Sequence, residues 1–188
     1  DGTINFQGRN FILFYVGDYD SSSWIAQTTP FLWDEPSRGE VPLMWSVSPV
    51  LAERVPMVMH NYRVTATPND YFAAADNGML QEPRSVSGLK SGLSAWAKHC
   101  SKYYQKWGLT ITGFVIDGEA PGLDSDGLDC YASFSPNGIV PQKMPLTLLH
   151  NDMPVIRADY DIVDHDYRRA TDVIVERVEK RPVPFHWF

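Results

Sequence analysis

The sequence predicts an α/β domain with a mostly parallel sheet, and three observations carry that reading. Short apolar runs alternate with helical segments of about 10 to 19 residues, as in proteins built from βα units. Two of the runs end in a pair of acids, Asp18 and Asp20 after Phe-Tyr-Val-Gly, and Asp117 and Glu119 after Phe-Val-Ile. At 188 residues the chain fits one domain, residues 1–188, with a single sizeable core.

The elements follow in order. A strand is expected over residues 10–18. A Ser-rich loop then carries Trp24 and Trp33 to Pro36. A short strand over 41–47 ends in Ser48-Pro49, where Ser can cap and Pro can open a helix. Residues 50–66 form the next helical piece, which Pro56 breaks or restarts. Thr67-Pro68-Asn69-Asp70 is a turn signature, and residues 71–75 form a strand ending in Asp76-Asn77-Gly78.

Leu89, Leu93, Trp96, Ala97, Cys100, Tyr104 and Trp107 recur at helical spacing, the clearest amphipathic helix in the chain, and Gly108 stops it. A strand over 109–117 is next, then a short helix over 124–134 and a short strand over 139–142. A strand over 153–160, a helix over 168–180 and a last strand over 184–188 complete the pattern. Six or seven strands suit most of a barrel or a doubly wound sheet. In either, ligands meet the carboxyl ends of the strands, where both acid pairs fall.

Composition narrows the partners. The hydrophobic fraction of 44% and charged fraction of 21% are ordinary for a globular protein. Aromatic content is high at 13%, with 6 Trp and 9 Tyr, which suits both a large core and platforms for the apolar face of a sugar. A net charge of -7 argues against nucleic acid as a partner, because phosphate binding needs a basic surface. No run approaches the roughly 18 apolar residues of a membrane span. Cys100 and Cys130 make neither a disulfide framework nor a zinc site.

The segments 14–24 (Phe-Tyr-Val-Gly-Asp-Tyr-Asp-Ser-Ser-Ser-Trp), 54–59 (Arg-Val-Pro-Met-Val-Met) and 66–78 (Ala-Thr-Pro-Asn-Asp-Tyr-Phe-Ala-Ala-Ala-Asp-Asn-Gly) together resemble the GxGYxYP family of glycoside hydrolases. Segments 114–122 and 134–143 resemble later parts of it. The resemblance implies a (β/α) TIM-barrel-like domain that follows smaller N-terminal domains, incomplete in this chain, which reads as a piece of a longer protein. It also implies a carbohydrate substrate and a secreted, periplasmic or cell-surface bacterial location, as in Bacteroidetes. One departure stands out. After Asn77-Gly78 the chain continues Met-Leu-Gln-Glu-Pro83, without the second glycine and the tyrosine pair of the family signature.

Candidate site residues follow. In extended backbone Asp18 and Asp20 point to one face, roughly 6.5–7 Å apart along the strand, and Asp117 and Glu119 repeat this geometry. Retaining glycosidases need carboxyls about 5–5.5 Å apart and inverting ones about 6.5–9.5 Å, a difference that side-chain reach overrides. One acid must be held protonated to supply the leaving oxygen, and one must stay ionised as nucleophile or base. Glu119 is expected as the first and Asp18 as the second, with Asp20 and Asp117 orienting them. The bland alternative is an acidic loop tip or a helix cap. Asn69, Asp70, Asp76 and Asn77 bracket a strand and could bond sugar hydroxyls, although such residues in turns usually serve their own backbone. Trp24, Trp33 and Trp45 are candidates for stacking, whereas Trp96 and Trp107 lie on the helix stripe and belong to the core.

No metal and no cofactor is expected. His60, His99, His150, His165 and His186 show no ligand spacing, and Asp164-His165-Asp166 sits where acids favour a helix start. Ser21, Ser22 and Ser23 lack a nucleophile elbow, and there is no Gly-rich phosphate loop. The expected function is carboxylate-catalysed glycoside hydrolysis of a polysaccharide or oligosaccharide. A non-catalytic carbohydrate-binding domain is the alternative, favoured by the altered loop.

Overall fold

A computed structural model of the chain describes residues 7–17, 22–75, 89–115, 123–144, 148–163, 165–181 and 183–188, with only the backbone at 22, 24 and 52. Two sheets organise it. Strands β2 (Tyr15–Val16), β3 (Leu43–Val47), β4 (Asp70–Ala75), β5 (Ile111–Val115), β6 (Gly138–Pro141), β8 (Met153–Val155) and β7 (Leu148–His150) form a seven-stranded sheet in that spatial order. All its pairings are parallel except β7 with β8. Strands β1 (Phe11–Leu13) and β9 (Phe185–Trp187) form a second, parallel pair.

The helices lie between the strands in sequence. They are α1 (Ser22–Gln27), α2 (Thr29–Trp33), α3 (Leu51–Arg54), α4 (Pro56–Thr65), α5 (Leu93–Trp107), α6 (Ser125–Phe134) and α7 (Tyr167–Lys180). Pro56 starts α4 rather than kinking one long helix, since its missing N–H is no loss in a first turn. Gly108 ends α5 in the left-handed region at φ 63°, which glycine adopts without cost. Asp124 caps α6 by accepting from the Gly127 amide at 3.1 Å, and Asp166 caps α7 through the Arg168 amide at 2.9 Å. Asp166 therefore serves the backbone.

Strand alternation sorts the core into two parts. Trp45, Val47, Ala74, Val115, Ile139 and Val155 face the helices and pack with Ile25, Leu51, Met59, Trp96 and Tyr131. Trp96 meets Tyr131 and Phe134 edge-on at 4.9 and 5.3 Å, worth about 1 kcal/mol each beyond their buried area. Met44, Ala73, Val140 and Trp187 face the other way, with Leu13, Tyr15, Ile111, Ile156 and Ala158 around them. That second cluster is made of strand and strand-flanking residues from both sheets and contains no helix residue. Among the described residues, helix side chains enter only the first of these two clusters.

The α/β expectation with a mostly parallel sheet is met, and among the described residues no ladder closes the two sheets into a TIM-like barrel. β7 occupies the edge of β8 that a closing strand would take. The segment after β8 meets β9 through a main-chain bond from the Asp159 amide to the Trp187 carbonyl, 2.8 Å. β7 itself was missed because its signal is a two-residue turn. Asn151 and Asp152 both have positive φ, 48° and 64°, the pattern of a tight hairpin. The expected loop before Pro36 also gains two short helices, α1 and α2, opened at Ser22 and by Pro30 at a first turn.

Candidate functional site

Because β2 through β6 run parallel, their carboxyl ends share one edge. At that edge the described chain reaches Gly17 after β2, Ser48 after β3, Ala75 at the end of β4 and Val115 at the end of β5. Gly17 has φ 148°, and a Cβ there would fall 1.8 Å from Ser46 Oγ. Only glycine lets β2 lie this close to β3. Likewise a Cβ on Gly113 would strike the Tyr15 ring at 2.2 Å, so glycine makes room for an aromatic inside the strand layer.

A cavity of about 440 Å³ lies along this part of the molecule. Tyr15, Gly17, Phe114, Trp187 and Phe188 line it, and residues 161–163, Asp161 among them, line one side. Comparable spaces lie elsewhere among the described residues. One is an apolar pocket of about 480 Å³ by the amino ends of β3 and β4, another a polar groove of about 440 Å³ beside α7. The cavity containing Gly17 and Phe114 reaches the carboxyl edge.

Polar groups accumulate near that edge without partners. Ser46 and Ser48 are buried, and neither hydroxyl has a hydrogen-bond partner among the described residues. In the second sheet, the buried Trp187 indole N–H, which lines this cavity and the apolar pocket alike, has no partner among the described residues either. Such groups cost stability when left unpaired, so a site that needs donors is their natural explanation. Asp161 was missed by sequence reasoning, although the rule that found the acid pairs reaches it. It follows the expected strand over 153–160 much as Asp18 ends the first one.

The acids singled out from sequence, Asp18, Asp20, Asp117 and Glu119, lie outside the described residues, as do Asp76 and Asn77. Trp24 is described in backbone only, within α1. The other four candidates are taken up by the fold. Trp33 and Trp45 are each 3% exposed and pack against one another edge-on at 4.9 Å, on the helix side of the sheet. Asp70 begins β4, so it sits at the amino edge, opposite the strand ends described above. Its carboxylate accepts from Trp45 Nε1 at 2.8 Å, from the Thr67 amide at 2.7 Å and from Thr67 Oγ1 at 2.8 Å, and it pairs with Arg38. Burial pushes its pKa up, but the Thr67 and Trp45 bonds and Arg38 outweigh that and hold it below the usual carboxylate range. Asn69 donates its side-chain amide to the Gly39 carbonyl at 2.7 Å. These four side chains are committed to structure where a sugar contact was expected.

Among the described residues, no group of three or more His, Cys, Asp or Glu side chains is arranged to hold a metal ion. No helix among them is long and apolar enough to cross a membrane.

The sequence matches the GxGYxYP putative glycoside hydrolase C-terminal domain over residues 8–179. The chain belongs to this family. No curated protein matches it. A crystal structure of a putative hydrolase from Bacteroides thetaiotaomicron is similar in fold, with a TM-score of 0.74 at 17% identity. That similarity covers 98% of this chain and 39% of the other, so the chain spans well under half of the protein it resembles. At that identity the likeness speaks for the fold alone.

Proposed function

We propose that this GxGYxYP domain hydrolyses a glycosidic bond in a polysaccharide or oligosaccharide, with carboxylates at the carboxyl rim of its sheet. Asp18 acts as base or nucleophile and Glu119 as the acid, while Asp20 and Asp117 orient them or hold the sugar. Asp76, Asn77 and Trp24 contribute substrate contacts. The proposed domain is TIM-barrel-like, completed by the rest of a longer protein, and works in the periplasm, at the cell surface or outside the cell. It takes a carbohydrate as partner and needs no cofactor.

One observation carries this reading. The strands that precede the two acid pairs, β2 and β5, run parallel in one sheet and end at a common edge, beside a cavity lined in part by Asp161. A glycosidase needs at least two carboxyls facing one space. The second reading is a non-catalytic carbohydrate-binding domain, and the altered segment Gly78-Met-Leu-Gln-Glu-Pro83 favours it. Full-length protein incubated with a panel of plant and host glycans separates the two. Release of a defined sugar, seen by mass spectrometry, supports hydrolysis, and its anomeric form gives the stereochemical course. Retention of a glycan with no product across the panel overturns hydrolysis in favour of binding.

A further inference from the structure

A second site lies away from that edge, in the groove of about 440 Å³ between α7 and residues 157–160. The protein carries a net charge of -7, yet four basic residues line this one groove: Arg157, Arg177, Lys180 and Arg181. Only two carboxylates line it with them, and both are engaged. Asp159 is 3% exposed, accepts from Arg181 Nη1 at 2.5 Å and from the Trp187 amide at 2.8 Å. Glu176 pairs with Lys180 one helical turn away, which holds its pKa below the usual carboxylate range.

Two positive charges are left over. Arg157 has no carboxylate partner among the described residues, and Arg177 has its guanidinium over the Tyr160 ring, 5.0 Å from the centroid. Cations in the last turn of α7 complement its dipole and need no other reason. Arg157 has no such reason, because it comes from the segment after β8 and faces the groove from the opposite wall. Guanidinium groups converging from two elements suit a planar or tetrahedral oxygen anion, which each can meet with paired N–H donors.

We propose that this groove binds an oxyanion group, a sulfate, phosphate or carboxylate, through Arg157 and Arg177, with Arg181 and Asp159 as its fixed floor. The site is independent of the hydrolase reading, since none of its charged residues lines the cavity at the carboxyl edge, the two spaces sharing only Ala158. The test uses the 188-residue chain, isotopically labelled, titrated with sodium sulfate and followed by two-dimensional NMR. Sodium chloride at equal ionic strength is the control. Saturable shifts confined to residues 157–160 and 173–181 are expected. Each of Arg157→Ala and Arg177→Ala should weaken the affinity about fivefold, and the double variant further. Both side chains are exposed, so the variants should keep the parent's near-ultraviolet circular dichroism, recorded first. Acetate in place of sulfate should shift the same residues and shows whether a carboxylate suffices. Shifts that grow linearly with both salts, or an unchanged sulfate affinity in the folded double variant, overturn the proposal.

Discussion

The two edges of the main sheet treat their polar groups in opposite ways. At the amino edge, Asp70 satisfies an indole, an amide, a hydroxyl and a guanidinium at once, and Asn69 ties down Gly39. Neither of these two side chains is left to offer a ligand. At the carboxyl edge, Ser46 and Ser48 are buried without partners among the described residues, beside a cavity lined in part by Asp161, and position 17 is a glycine. A buried polar group with all its bonds made stabilises a fold. One without them marks where the fold gives up stability for something else.

The largest effect that could break this contrast concerns the acids following β2 and β5. In the full-length protein, Asp18→Asn and Glu119→Gln should each lower glycan turnover by about 10²- to 10⁴-fold while leaving the thermal midpoint in place. Full turnover in either variant would remove that residue from the chemistry. Next comes the amino edge. Asp70→Ala strands the Trp45 N–H and takes the carboxylate partner from Arg38, and should cost about 3 kcal/mol in a urea titration without altering activity per folded molecule. The same residue sets an acid limb. Its folded pKa lies below its unfolded value, so the unfolded chain binds the proton more readily and stability falls as pH drops through the carboxylate range. In Asp70→Asn that limb should be shallower, and an identical acid profile would show the carboxylate to be unimportant.

Smaller effects test the carboxyl edge. Gly17→Ala puts a Cβ against Ser46 in a backbone region that side chains rarely adopt, and should cost about 2 kcal/mol. An unchanged unfolding midpoint would mean that β2 shifts freely away from β3. Smallest of all, Ser48→Ala removes a buried unpaired hydroxyl. It should leave stability unchanged or raise it by up to about 1 kcal/mol, and a loss of activity at constant stability would assign that hydroxyl to the site.

Much of the fold was legible in the sequence because its signals are local. The helix stripe from Leu93 to Tyr104, the stop at Gly108 and the Pro56 restart each act within a turn or two of chain. Burial of Trp33 and Trp45 was not legible, since Trp suits a core and a sugar platform equally well. Only the alternation of β3, with Trp45 toward the helices and Met44 away, decides between them. Asp70 misled for the same reason. An acid beside a strand reads alike at either end, and strand direction decides whether it faces a rim or anchors a turn. Asp161 was overlooked because the segment after β8 has no regular structure, although its position after an apolar run gave the same signal as Asp18.

Helix α7 has a consequence for timescale. It spans 14 residues yet contributes no buried side chain, so little apolar contact holds it to the sheet. Its amide protons should exchange with solvent through local lifting, far faster than those of α5, whose stripe is buried at Leu93, Trp96, Cys100 and Tyr104. An anion bridging Arg177 to Arg157 would pin that helix down, so occupancy of the groove can be read as a clock, in the slowing of exchange along one helix while the rest of the molecule keeps its pace.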